Sequence, residues 1–373
     1  MTKAETSHWP EVVRCVHLEG GLRAINEPGN SVRFLPNLQE GLPTLTLAKY
    51  SHLHRNLRDI GFQLLGVDFY QDNDQLDGFY PPNWRPHYEP RGYIANDVAE
   101  LWDNLANAGH EIDDFGFVDI CRRIAFQVKA CSWRLRDLSE TYHRELCNKV
   151  RDKDFESGRP FGSVNGFQIG LAAHSYFSEF GTLRDYTAEF LAKYVFIKNV
   201  PDGKHIRLMS SLRKHVIPNV DYDHPIKQEM DRICADDGWL NIVSAYRDIA
   251  VHYSPLELAE GPCPFETNVF RSKSGKKFPR ISFNLPHDPV SLRTERSVAP
   301  SSTKSASEWQ RLMLESRLDG RRGPDALLLA YHSLKWVCEF VHRVAEHSPV
   351  SPKRVHIHVG TDSEVIEQTF VDP

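Results

Sequence analysis

The chain has no run approaching the roughly 18 consecutive apolar residues that a membrane helix needs. Its longest apolar-rich runs, such as Ala326–Tyr331, are short and bounded by polar residues. The opening Met1-Thr-Lys-Ala-Glu-Thr-Ser-His holds no apolar h-region, so neither a signal peptide nor a membrane partner is expected. No two of the cysteines Cys15, Cys121, Cys131, Cys147, Cys234, Cys263 and Cys338 form a CxxC pair. An odd, scattered set argues against a disulfide framework and for reduced thiols, with a cytoplasmic location expected. A surplus of positive charge is missing too: the net charge is −5, which does not mark a nucleic-acid-binding domain, although local basic patches act independently of the total. GxxxxGK[ST], GxGxxG and GxSxG do not occur, so nucleotide-fold and α/β-hydrolase readings lack support. There is no internal repeat.

What is present is an ordinary globular composition, 40% hydrophobic over 373 residues, ample for a sizeable core in two or three domains or one core with large insertions. Residues 1–95 read as a mixed α/β region, with short strands at Ser31–Leu35 and Thr44–Leu47 and a helix over Ser51–Phe69. Gly78-Phe-Tyr-Pro-Pro-Asn-Trp-Arg-Pro reads as a connector, because adjacent prolines stop helix and ladder alike. From Asn96, a helix N-cap, the period changes. Phe117, Ile120, Cys121, Ile124, Val128, Cys131, Leu135 and Leu138 recur at three- and four-residue steps, one face of a long helix over Asp113–Val150. A second helix is expected over Ser163–Ile197, interrupted near Gly181. A third starts at Asp223 with Pro225 just inside it, breaks at Gly238 and resumes to Ala250. Pro255 disfavours helix at Ser254. A fourth follows Pro324, striped by Leu327, Tyr331, Leu334, Cys338 and Val341.

The expectation is therefore a mainly α protein. Residues 96–350 form a four-long-helix bundle with an insertion at 257–322 that carries a β-hairpin, Asn268–Phe270 and Arg280–Phe283. A C-terminal segment, 351–373, includes the alternating strand Arg354-Val-His-Ile-His-Val.

The third helix ends in Ser244-Ala-Tyr-Arg247-Asp248-Ile-Ala-Val-His252-Tyr. Asp248 and His252 are four apart and share a helix face; Arg247 lies about 100° round. The three sit at the border of the apolar stripe formed by Tyr246, Ile249 and Ala250. This Arg-Asp-x3-His, late in the third helix of a bundle, resembles the HEPN superfamily, whose signature is Arg, four to six residues, then His. Arg-x4–6-His arises by chance about four times in a chain with this many arginines and histidines. Two other matches occur, Arg136-Asp…His143 and Arg280…His287, and neither stands at the end of a third helix before a proline.

The resemblance implies a HEPN-like bundle and a metal-independent endoribonuclease of a toxin or phage-defence kind. It also implies RNA as substrate, a homodimer whose two motifs share a cleft, an antitoxin or regulatory partner, and no cofactor. Arg247 and His252 would be catalytic and Asp248 supportive. The residue types suit that chemistry. Histidine moves protons near neutral pH, arginine holds a phosphate and its developing charge, and a carboxylate orients a histidine through a ring nitrogen. A solvated helix-end cluster in a non-catalytic helical binding protein is the alternative.

Basic residues that suit RNA phosphates are Arg271, Lys273, Lys276, Lys277 and Arg280 on the hairpin, and Lys204-His-Ile-Arg207 with Arg213, Lys214 and His215; both clusters also read as solvated faces. His356 and His358 share a strand face as a metal pair without an evident third ligand, so no metal site is expected. His174 and His332 read as core or border histidines.

Overall fold

The computed structural model describes residues 13–27, 31–38, 44–47, 52–87, 95–152, 155–162, 165–252, 265–273, 275–298, 323–359 and 366–371. In chain order the elements begin β1 (Val13–Leu18), β2 (Arg23–Glu27), β3 (Ser31–Leu35), β4 (Thr44–Thr46), α1 (Leu53–Ile60), β5 (Leu64–Tyr70), α2 (Asn73–Leu76), β6 (Asn83–Pro86), α3 (Ala95–Glu111) and α4 (Phe115–Arg151). They continue with β7 (Arg159–Phe161), α5 (Gly166–Phe190), α6 (Met209–His215), α7 (Pro225–Ile233), α8 (Trp239–His252), β8 (Phe265–Arg271) and β9 (Lys277–Phe283). The last are α9 (Pro289–Val298), α10 (Ala326–Glu346), β10 (Arg354–Val359) and β11 (Ile366–Val371).

The four long helices read from the sequence are present as α4, α5, α8 and α10, yet the protein is mixed α/β and not a four-helix bundle. A six-stranded antiparallel sheet, ordered β4-β3-β2-β1-β5-β6, occupies the N-terminal region, and β7-β8-β9 form a second sheet. The reason is local. The first five residues of β5 are all buried, so the strand has no polar alternation and reads as part of a helix over 51–69; α1 in fact stops at Gly61, whose φ of 110° is left-handed and suits glycine. The Pro-rich connector contains β6, with Pro86 as its last residue, where a missing N–H is tolerated. The hairpin expected as an insertion is longer than its signal, and it packs Phe278 against Phe34 at 4.9 Å and Phe62 at 5.0 Å.

Two compact units divide the chain. One comprises Met1–Pro90, Trp133–Tyr176 and Ala245–His332; the other Arg91–Ser132, Phe177–Ser244 and Ser333–Pro373. The first unit holds both larger sheets. On its six-stranded sheet Cys15 stands opposite Asp68 and His17 opposite Gly66. Gly66 has no side chain where the Trp84 ring lies: a Cβ there would come within 2.0 Å of Cη2. Trp84 thereby reaches His17, ring centres 4.9 Å apart.

The second unit is helical apart from the β10–β11 pair, and its helices are joined by aromatic contacts. Trp102 meets Phe190 edge-on at 4.8 Å, and Phe117 meets Tyr194 at 5.0 Å, geometries favoured by ring quadrupoles. No break occurs at Gly181; α5 runs to Phe190 and continues as a π-helical turn, Leu191–Val195. α7 takes His224, not Asp223, as its N-cap: Nδ1 accepts from the Ile226 N–H at 3.2 Å. The C-terminal strand pairs β10 with β11, His356 opposite Thr369 and His358 opposite Glu367; the side chains of these histidines lie outside the described residues, as do residues 299–322 of the expected insertion. Among the described residues no helix is long and apolar enough to cross a membrane.

Candidate functional site

α8 is positioned by its apolar side. Val243, Tyr246, Ile249 and Ala250 are buried, and the Tyr246 hydroxyl donates to the Pro286 carbonyl at 2.6 Å. That bond fixes the end of α8 against the segment leading into α9. Asp288 caps α9, accepting from the Ser291 N–H at 2.9 Å and the Ser291 hydroxyl at 2.7 Å. One and a half turns on, Arg293 reaches back to α8.

The result is a four-residue charged cluster at the α8 terminus. Arg247 Nη1 donates to Asp248 Oδ1 at 3.1 Å and to His252 Nε2 at 3.1 Å. Arg293 Nη1 lies 3.5 Å from Asp248 Oδ2. A guanidinium only donates, so Nε2 is the acceptor in the Arg247 contact. The arginine and carboxylate side chains are 24% and 26% exposed and His252 is exposed, so a ligand in solvent reaches all three. Arg247 Nε is buried without a hydrogen-bond partner, which leaves donor capacity in the guanidinium unused. The sequence reading paired Asp248 with His252; in the structure Arg247 meets the imidazole, and Asp248 lies between two guanidiniums. Arg293 was missed. Asp288-Pro-Val-Ser is a readable helix start, but the reach from α9 to α8 depends on tertiary packing.

The second Arg-Asp…His match, Arg136 to His143, has a different setting. Arg136 grips Asp68 bidentately, Nε to Oδ1 and Nη2 to Oδ2, both at 2.8 Å. His17 bridges Asp68 Oδ2 at 3.1 Å and Ser139 Oγ at 3.0 Å, and Arg23 pairs with Glu140 at 2.8 Å. Ser139, His17 and Asp68 have the order of a hydrolase triad, and the donor atoms of His17, Asp68 and Glu140 lie within 4.8 Å of one another, a spacing a metal could use. Neither role fits. Both carboxylates already hold arginines, and His17 and Asp68 are completely buried. Burial, aided by the Arg23 charge, pushes His17 down to about 4 against the pull of Asp68. Burial would raise Asp68, but hydrogen bonds from His17 and Arg136 outweigh it and hold the carboxyl well below its ordinary range. His143 Nδ1–H donates to the Gly21 carbonyl at 2.8 Å. This set fastens the sheet to α4. Its key pair, His17 and Asp68, stands on two strands 51 positions apart, with no local signal to join them.

Of the hairpin cations, Arg271, Lys273, Lys276 and Lys277 are exposed around the turn, with Arg271 directly opposite Lys277. Arg280 is drawn away from them to Glu19, 3.6 Å off. In the second unit Arg207, from the other basic cluster, lines a pocket of about 450 Å³ with Arg123, Asp185, Tyr186 and Glu189. Comparison with protein-family models, with curated proteins and with solved structures finds no match for this chain.

Proposed function

We propose that the α8 terminus is a phosphodiester site at which RNA is cleaved without a metal ion. What supports the reading is the contact of Arg247 Nη1 with His252 Nε2 at 3.1 Å. At rest the guanidinium covers the one lone pair that can act as a base. An RNA phosphate is a stronger partner for Arg247 than a neutral imidazole. Taking Arg247, it releases Nε2 to accept the 2′-hydroxyl proton. The 2′-oxygen then attacks phosphorus, the bond to the 5′-oxygen breaks, and the imidazolium proton goes to that leaving oxygen. The products are a 2′,3′-cyclic phosphate and a 5′-hydroxyl. Arg247 and Arg293 hold the charge that develops on the phosphoryl oxygens, and Asp248 keeps the two guanidiniums side by side. One chain offers one imidazole in this cluster, which acts as base and then acid. A second copy of the chain, as the HEPN resemblance implies, would divide those tasks.

The test is cleavage of RNA in EDTA by the parent chain, by Arg247→Ala and by His252→Ala, with a 2′-deoxy substrate beside it. The reading expects cyclic-phosphate ends from the parent, a loss of about 10²–10⁴-fold in both variants, and an uncut deoxy substrate. Intact RNA with the parent, or variants that cut as well as it does, sinks the proposal.

A further inference from the structure

His54, in the first turn of α1, and His87, immediately after β6, are brought together by β5. That strand follows α1 through Gly61, and its Leu65 carbonyl accepts the His87 N–H at 3.0 Å. The two rings stand 5.1 Å apart, centre to centre, with planes at 76°. Nε2 of each ring is shut off from solvent and has no hydrogen-bond partner. Buried polar nitrogens are nearly always satisfied, so two orphans of the same kind on adjacent rings point to a shared ligand.

We propose that His54 and His87 form a two-histidine site for a divalent transition-metal ion, zinc or copper. Imidazole is the side chain that suits these ions best outside thiolates. With a metal–nitrogen bond of about 2.0–2.1 Å in line with each ring, the ion sits roughly 3.2 Å from each ring centre. Rings 5.1 Å apart, centre to centre, are near enough for one ion to reach both at that bond length. Arg58 and Arg14 face His54 with positive charge. That charge opposes a bare dication and favours one that carries an anion in its two remaining positions. The site shares no residue with the α8 cluster, so stripping this ion with EDTA leaves the RNA test intact.

Cobalt(II) titration of the full chain, followed by visible absorption, reads the site directly. One equivalent should give the intense bands of tetrahedral cobalt, and zinc should displace it. His54→Ala and His87→Ala, each checked for an unchanged circular-dichroism spectrum, should weaken binding about tenfold or more. Should either variant misfold, zinc must raise the parent's melting temperature and EDTA must reverse the rise. Absence of tetrahedral bands and of a melting shift in the parent overturns the proposal. So does an affinity that both substitutions leave unchanged, since the ion then rests on other histidines.

Discussion

Within the first unit the same three residue types are assembled twice, to opposite ends. Around Arg136, the fully buried pair His17 and Asp68 lies at the centre, held by Arg136, with Arg23 and the part-exposed Glu140 beside it. Around Arg247, a pair of arginines shares one carboxylate at the edge of solvent, and the imidazole is exposed. Burial decides the outcome. Where water is excluded, an unpaired charge is prohibitively costly, so opposite charges pair with one another and the set becomes a fastening. Where water enters, the set can exchange its internal contacts for a ligand.

The comparison breaks most readily at Asp68. Asp68→Ala strands Arg136 and His17 in the interior and should cost about 3–5 kcal/mol, measured by urea unfolding. A loss below about 1 kcal/mol, the range of exposed pairs, would mean that the buried set is not a fastening.

Acid is the next lever. His17, His87 and His143 are each held near 4 by burial first, against an ordinary value of about 6.5. Their folded forms exclude a proton that the unfolded chain accepts. Stability is therefore complete above about pH 6.5 and declines as pH falls towards 4, by roughly 3 kcal/mol at most for each group. Asp325, pushed up to about 6 by burial, acts in the opposite sense and offsets part of the loss. All four groups belong to the first unit. Hydrogen exchange at about pH 5 should accelerate in β1 and β5 before α3 and the second half of α5; uniform acceleration would erase the distinction.

The smallest effect is expected at Asp248. Asp248→Ala removes a part-exposed ion-pair partner and should change stability by roughly 1 kcal/mol while loosening the spacing of Arg247 and Arg293. A destabilisation like that of Asp68→Ala would show that the α8 cluster is a fastening as well.

How much of this was legible follows from where each signal resides. α4 and α10 announce themselves because their apolar residues return every three or four positions, and the structure places those residues in the core. β5 does not, because Leu64-Leu65-Gly66-Val67-Asp68 is buried throughout and a continuous run carries no period. The six-stranded sheet was hidden for that reason and took the bundle reading with it. Arg247 and His252 stood out through the Arg-x4–6-His spacing late in a helix before a proline; the contact between them comes from the structure. Arg293, and the pairing of His17 with Asp68, come from elements that meet only after folding.

One measurement addresses the central claim that burial separates the two Arg-Asp…His sets by role. His143→Gln and His252→Gln are compared for metal-free RNA cleavage per folded molecule. The account predicts that His252→Gln stays as stable as the parent and forms no cyclic-phosphate ends, whereas His143→Gln unfolds more easily yet cleaves at the parental rate. Cleavage that survives in His252→Gln, or that disappears equally in both, contradicts it.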